Sequence, residues 1–191
     1  FGIHDLGVEQ TDIGILGMIL VIGVGAGSLL AGYWSAGHIE LGFVPLGALG
    51  ISVCSFLLFF TGKFGYVFPN SAFYGSCLAL FGLGVSAGLF DVPLEAYLQH
   101  RSPPQALGTV LAATNFLVYL GTLLVAGGFY LLNEVLAISA GTIFLLVGLG
   151  TVAVCVFIAW QLPAAVFRLI WWIFAKLVYR IHVYGRENIP R

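Results

Sequence analysis

Charge is what this 191-residue chain has least of: seven basic and eight acidic side chains make up 8% of it, against 60% hydrophobic residues and a mean hydropathy of +1.06. So little charge cannot coat a soluble globule of this size, so a membrane protein is expected. No nucleic-acid partner is expected. The alternating apolar and polar pattern of a membrane barrel is missing. Cysteine is sparse too: Cys54, Cys77 and Cys155 stand alone in apolar segments, without CxxC or Cys/His spacing. They read as small hydrophobes and not as metal ligands or redox pairs. No P-loop, HExxH or hydrolase elbow occurs, so no catalytic residue, metal or cofactor is expected. Residues 82–87 (GLGVSA) and 148–153 (GLGTVA) fit GxGxxA. Neither follows a strand and opens a soluble helix, and both read as glycines that thin apolar helices for packing.

What the sequence does have is apolar runs near the roughly 20 residues that a helix needs to cross a bilayer. Five complete spans are expected, at 13–34, 41–61, 71–99, 109–132 and 136–160, so the fold class is an all-α polytopic membrane helical bundle. Residues 1–12 carry Asp5, Glu9 and Asp12 without Lys or Arg and should end in an N-cap at Thr11 or Asp12. Residues 32–42 are a short polar turn, and 61–69 a return loop with Lys63. In 100–107, Pro103 and Pro104 bar the helix from continuing. Asn133 and Glu134 should form a tight connection. In the first span Gly23 and Gly27 form a GxxxG, a spacing that lets a second helix approach closely.

Five of the seven basic residues (Arg168, Lys176, Arg180, Arg186, Arg191) follow Gln161. The positive-inside rule then puts the Arg101 turn and the C-terminus in the cytoplasm, with the acidic N-terminal loop, Lys63 and Glu134 on the opposite side. The chain opens without an initiator Met and has an odd span count, so a longer protein with a further span upstream is expected. Residues 163–183 differ from the spans. On a helical wheel Arg168, Lys176 and Arg180 share one third of the circumference, opposite Phe167, Ile170, Phe174, Leu177 and Ile181. That is the pattern of an interfacial helix, with Trp171 and Trp172 at headgroup depth. A sixth, poorly suited span is the alternative.

The third span carries two carboxylates, Asp91 and Glu95, one helical turn apart on one face with Pro93 between them and Arg101 beyond. An acid at the centre of a membrane helix costs roughly 2.5–3.5 kcal/mol on insertion scales, which marks it as functional by default. Asp91 lies about 12 Å of helix rise before the span ends at Gln99, too deep for its short side chain to reach water fully. It is therefore expected to face a polar cavity, to take up a proton or to attract a cationic group. The competing structural reading has both acids at the helix end, snorkelling or paired with Arg101. Asn115 and Tyr119, one turn apart on the fourth span, either join a polar patch with Glu95 or Gln99 or tie helices together by hydrogen bonds. His38 and Glu40 sit in a turn without a third ligand, where a solvated role outweighs a metal site.

Residues 25–50 (GAGSLLAGYWSAGHIELGFVPLGALG) and 91–116 (DVPLEAYLQHRSPPQALGTVLAATNF) resemble the C-terminal half of major facilitator superfamily transporters, and most of all the bacterial lysophospholipid transporter branch. The superfamily's loop motif departs here, since Gly32 and Tyr33 stand where an acid and a base would be. The resemblance implies that the five spans are the eighth to twelfth of twelve, that the substrate is a lysophospholipid or other lipid-like solute, and that the chain lies in a bacterial inner membrane. Gly27, Gly32, His38, Glu40 and Arg101 are grouped as a cytoplasmic gate loop, while Asp91, Glu95, Gln99, Asn115 and Tyr119, from their own placement in apolar spans, are the candidates for substrate binding or proton coupling. Residues 168–191 resemble the lead-in to a glycerophospholipid acyltransferase domain, with Gly185 to Pro190 as the turn that precedes its catalytic His-x4-Asp. The implied organisation is transporter (1–160), amphipathic linker helix (161–183) and the start of an acyltransferase (184–191). Partners implied are membrane lipids, an N-terminal six-helix bundle and the downstream enzyme domain. Two other readings remain: a membrane anchor that feeds an acyltransferase, and a transporter of a different small solute.

Overall fold

The computed structural model describes residues 10–35, 42–64 and 69–161, and their regular structure is all helical, without a strand among them. Five helices follow one another: α1 (Gln10–Ser35), α2 (Phe43–Phe64), α3 (Pro69–Arg101), α4 (Leu107–Tyr130) and α5 (Ala140–Gln161). Each contains 19 to 31 residues long and apolar enough to cross a membrane. Proline falls where helices tolerate it. Pro69 opens α3, and Pro45 lies in the first turn of α2, where an N–H would have no intrahelical acceptor.

The helices outrun the expected spans at several ends. Helix α1 already includes Gln10, ahead of the expected cap, and runs to Ser35, one residue past the expected span end at 34. Helix α2 takes in Lys63, whose ammonium lies 5.5 Å from the centre of the Phe59 ring. Helix α3 stops at Arg101, and Pro103 and Pro104 lie in the turn that follows. The connection to α5 is a correction: Asn133 and Glu134 are not a tight loop but part of a π-helical turn, Leu131–Val135, that extends α4. The loop proper is 136–139, and the amide of Leu136 closes the turn on the carbonyl of Leu131 at 3.0 Å.

Within that loop Ala137 adopts φ 52°, the one positive φ on a non-glycine residue among the described residues. A side chain there costs roughly 1–2 kcal/mol, and glycine removes the cost. Ala137→Gly is therefore expected to stabilise the protein by about 1 kcal/mol, read as a rise in the thermal unfolding midpoint in detergent.

Packing is ordered around α3, which lies against α1 on one side and α2 on the other, while α2 also packs on α5. The α1/α3 seam is made of glycine. A Cβ on Gly23 would run into the Phe81 carbonyl, and one on Gly27 into that of Val85. From the other side a Cβ on Gly84 would meet the Leu20 carbonyl, and one on Gly88 would lie 2.6 Å from the Val24 oxygen. Both helices thus carry glycine at i, i+4 where they touch, so the GxxxG in α1 and the glycines of 82–87 are packing devices. The α2/α3 seam adds Gly82 beneath the Cys54 sulfur and a hydrogen bond from Ser76 Oγ to Thr61 Oγ1 at 3.0 Å. Gly148 of α5 lies under the Phe56 ring, but Gly150, from the same GxGxxA match, meets nothing. Cys155 is buried, Cys54 and Cys77 are half-buried, and none is in a disulfide.

Helix α4 differs from the rest, with no buried residue and no extensive packing on another helix. Large apolar side chains also stand out from the bundle's perimeter, such as Leu29 at 76% and Val125 at 73% exposure. In water this surface would be an aggregation liability.

Candidate functional site

Asp91, Glu95 and Gln99 follow one another at single-turn intervals along the last third of α3, and all three are exposed. Between them Pro93 is buried, and its missing N–H leaves the carbonyl of Leu89 without its helical donor. Arg101 does not pair with either acid. Its Nε donates to the Tyr97 hydroxyl at 3.3 Å, and its guanidinium lies 5.9 Å from the Tyr97 ring centre, so the side chain folds back along its own helix. Neither Asp91 nor Glu95 makes a hydrogen bond or ion pair among the described residues. The structural alternative in which Arg101 fixes the acids is not what the geometry shows.

Next to this row lies a cavity of about 640 Å³ bounded by α2, α3, α4, the π-helical turn and α5. Leu83 and Ala87 form its α3 wall, Ile51 and Ser55 its α2 wall, Val125 and Phe129 its α4 wall. Asp91 continues the Leu83–Ala87 row by one more turn but is not part of the lining. The cavity of this structure is apolar, unlike the polar one expected around the acid.

Asn115 and Tyr119 are exposed on α4, away from the cavity lining, and no hydrogen bond joins them to Glu95 or Gln99. The structure therefore brings Asp91, Glu95 and Gln99 together on one helix and leaves Asn115 and Tyr119 apart from them. Of the gate-loop residues, Gly27 sits in the interior of α1 against Val85, and Gly32 in the last turns of the same helix with open space around it. His38, Glu40, the 163–183 helix and the 185–190 turn lie outside the described residues. No group of three His, Cys, Asp or Glu that could hold a metal occurs among the described residues.

Sequence reasoning missed Ser52 and Ser55 of α2, which are 2% and 1% exposed and have hydroxyls without a hydrogen-bond partner. Their signal was available as two serines three residues apart in an otherwise apolar helix. No protein-family model matches this chain, no curated protein matches it in sequence, and no solved structure matches it. Fold and site therefore define a class only: a bundle with five helices of membrane-spanning length and composition, an apolar cavity inside it, and an acid-bearing helix beside that cavity.

Proposed function

We propose that the chain is a membrane-spanning part of a transporter that moves a lipid-like solute, a lysophospholipid in the first instance, by rocking against a second helical bundle. The observation that carries this reading is the adjacency on α3 of an apolar cavity wall, Leu83 and Ala87, and an unpaired acid one turn further on, Asp91. Apolar space beside a fixed charge suits a molecule that is itself half apolar and half polar. The cavity volume falls within the roughly 300–1,000 Å³ range of small-molecule sites. A bilayer, such as a bacterial inner membrane, would cover the apolar perimeter that water could not.

In that membrane the basic tail after Gln161 and Arg101 face the cytoplasm. A cysteine at Arg101 should be labelled only by a reagent on the cytoplasmic side, and one at Glu134 only from the opposite side. Labelling of both from one side would contradict the five-span arrangement. Transport itself is tested in reconstituted vesicles, where the protein should speed uptake of a labelled lysophospholipid above the rate of protein-free vesicles. Equal rates would reduce the helices to an anchor.

A further inference from the structure

Helix α3 is held along only part of its length. Buried residues recur from Ala72 to Pro93, and in this stretch its glycines meet α1 while Ser86 and Phe90 stand against Gly47 and Gly50 of α2. Both neighbours end where the stretch ends. Gly27 of α1 faces Val85, so Ser35, the last residue of that parallel helix, comes level with about Pro93. Gly47 of the antiparallel α2 faces Phe90, so Phe43, its first residue, comes level with about Leu94. Pro93 also interrupts the helix's own bonding, since it has no N–H to give to the Leu89 carbonyl. Beyond it, residues 94–139 include none that is buried.

The turn after Arg101 is well tied within itself. The amide and the hydroxyl of Ser102 both donate to the Leu98 carbonyl, at 3.2 and 2.7 Å, and the Ala106 amide donates to the Pro103 carbonyl at 2.9 Å. Helix α4 must therefore move with the end of α3. At its other end α4 passes into the π-helical turn Leu131–Val135 and the loop that holds Ala137, a second break in regular helical bonding. We propose that residues 94–130 form an arm with pivots at Pro93 and at Leu131–Val135, which swings against the fixed body of α1, α2, α5 and the first two thirds of α3. Val125, Gly128 and Phe129 lie on the arm and form one wall of the cavity, so the swing opens or closes the cavity on that side. The pivots follow from packing and hydrogen bonding and do not depend on the transport reading.

The test measures distances between pairs of spin labels in the reconstituted protein, with Cys54, Cys77 and Cys155 replaced by alanine. Leu29→Cys on α1 is the fixed point, paired either with Thr109→Cys at the start of α4 or with Leu78→Cys in the held part of α3. All three positions are exposed. The distance distribution of the α4 pair should be about twofold broader than that of the α3 pair, as a collective hinge movement adds to the local motion of the labels. Pro93→Ala, which restores a donor to the Leu89 carbonyl, should narrow the α4 pair towards the width of the α3 pair and leave the α3 pair unchanged. Should that variant disturb the fixed body, seen as a broadened α3 pair, Pro93→Leu takes its place. Equal widths of the two pairs before any change at Pro93 would overturn the proposal, as would an α4 pair that stays broad in both variants. A rigid arm with lysophospholipid uptake intact would remove the hinge alone, whereas a mobile arm without uptake would leave the hinge standing and remove the transport reading.

Discussion

Gly27→Val is expected to unseat α1 from α3 and to destabilise the bundle by about 3 kcal/mol, the upper end of what overpacking costs. The reason is the kind of atom in the way. A Cβ on Gly27 would meet the carbonyl oxygen of Val85 and, at 2.8 Å, its carbonyl carbon and Cα. These are backbone atoms of a helix. They cannot rotate aside as the end of a side chain would, so the whole helix must move out, and the contacts of Gly23, Gly84 and Gly88 loosen with it. Gly84→Val should behave alike, since its Cβ would meet the Leu20 carbonyl. Gly25, two residues away in the same helix, provides the control because it has nothing within 4 Å. Gly25→Ala is expected to be neutral or to stabilise by up to about 1 kcal/mol through helix propensity. Thermal unfolding in detergent checks all three. A Gly27→Val protein as stable as Gly25→Ala would mean that the two backbones do not approach this closely.

Much of this architecture was legible in the sequence, for a simple physical reason. Backbone polar groups in hydrocarbon must be satisfied within the segment, so an apolar run near 20 residues has little choice but a helix. The five helices accordingly appear where the runs are, and Gly23 and Gly27 pack as their spacing suggests. Their ends were less legible: Ser35 and residues 62–64 continue helices past the expected span ends, because a helix ends by backbone geometry and not by hydropathy. The π-helical turn at Leu131–Val135 has no composition signature, and Asn133 and Glu134 within it resemble an ordinary loop. The site divided along the same line. Asp91 and Glu95 stood out because charge is costly in an apolar helix. Ser55 did not, because a serine is cheap there, and only the three-dimensional arrangement shows that its hydroxyl is unpaired beside a cavity. Nor could sequence place Asn115 and Tyr119 relative to Glu95, which depends on how α4 lies against α3.

The second large effect is expected at Asp91. Helix α3 has 33 residues, about 50 Å of rise; in the proposed bilayer, with about 30 Å of hydrocarbon, some ten ångströms would project at each end of a centred helix. Asp91 then sits about 6 Å inside the apolar layer and Glu95 at its boundary. With Arg101 engaged by Tyr97, no described cation offsets the Asp91 charge. In the proposed function that cost is retained because the acid meets the polar end of a substrate whose apolar part occupies the neighbouring cavity, or because it carries a proton. Either role depends on charge and not on shape. Asp91→Asn, which keeps the shape, should leave the fold intact and lower transport at least tenfold; Glu95→Gln, nearer to water, should lower it less.

The decisive measurement is lysophospholipid uptake by vesicles holding equal amounts of wild-type or Asp91→Asn protein, with thermal unfolding recorded on the same samples. The account predicts uptake by the wild type above protein-free vesicles and uptake by Asp91→Asn near that background, at an unfolding midpoint within a degree or two of wild type. Normal uptake by Asp91→Asn, or a loss of uptake matched by a loss of folded protein, would make Asp91 a structural residue of the helix end and contradict the account.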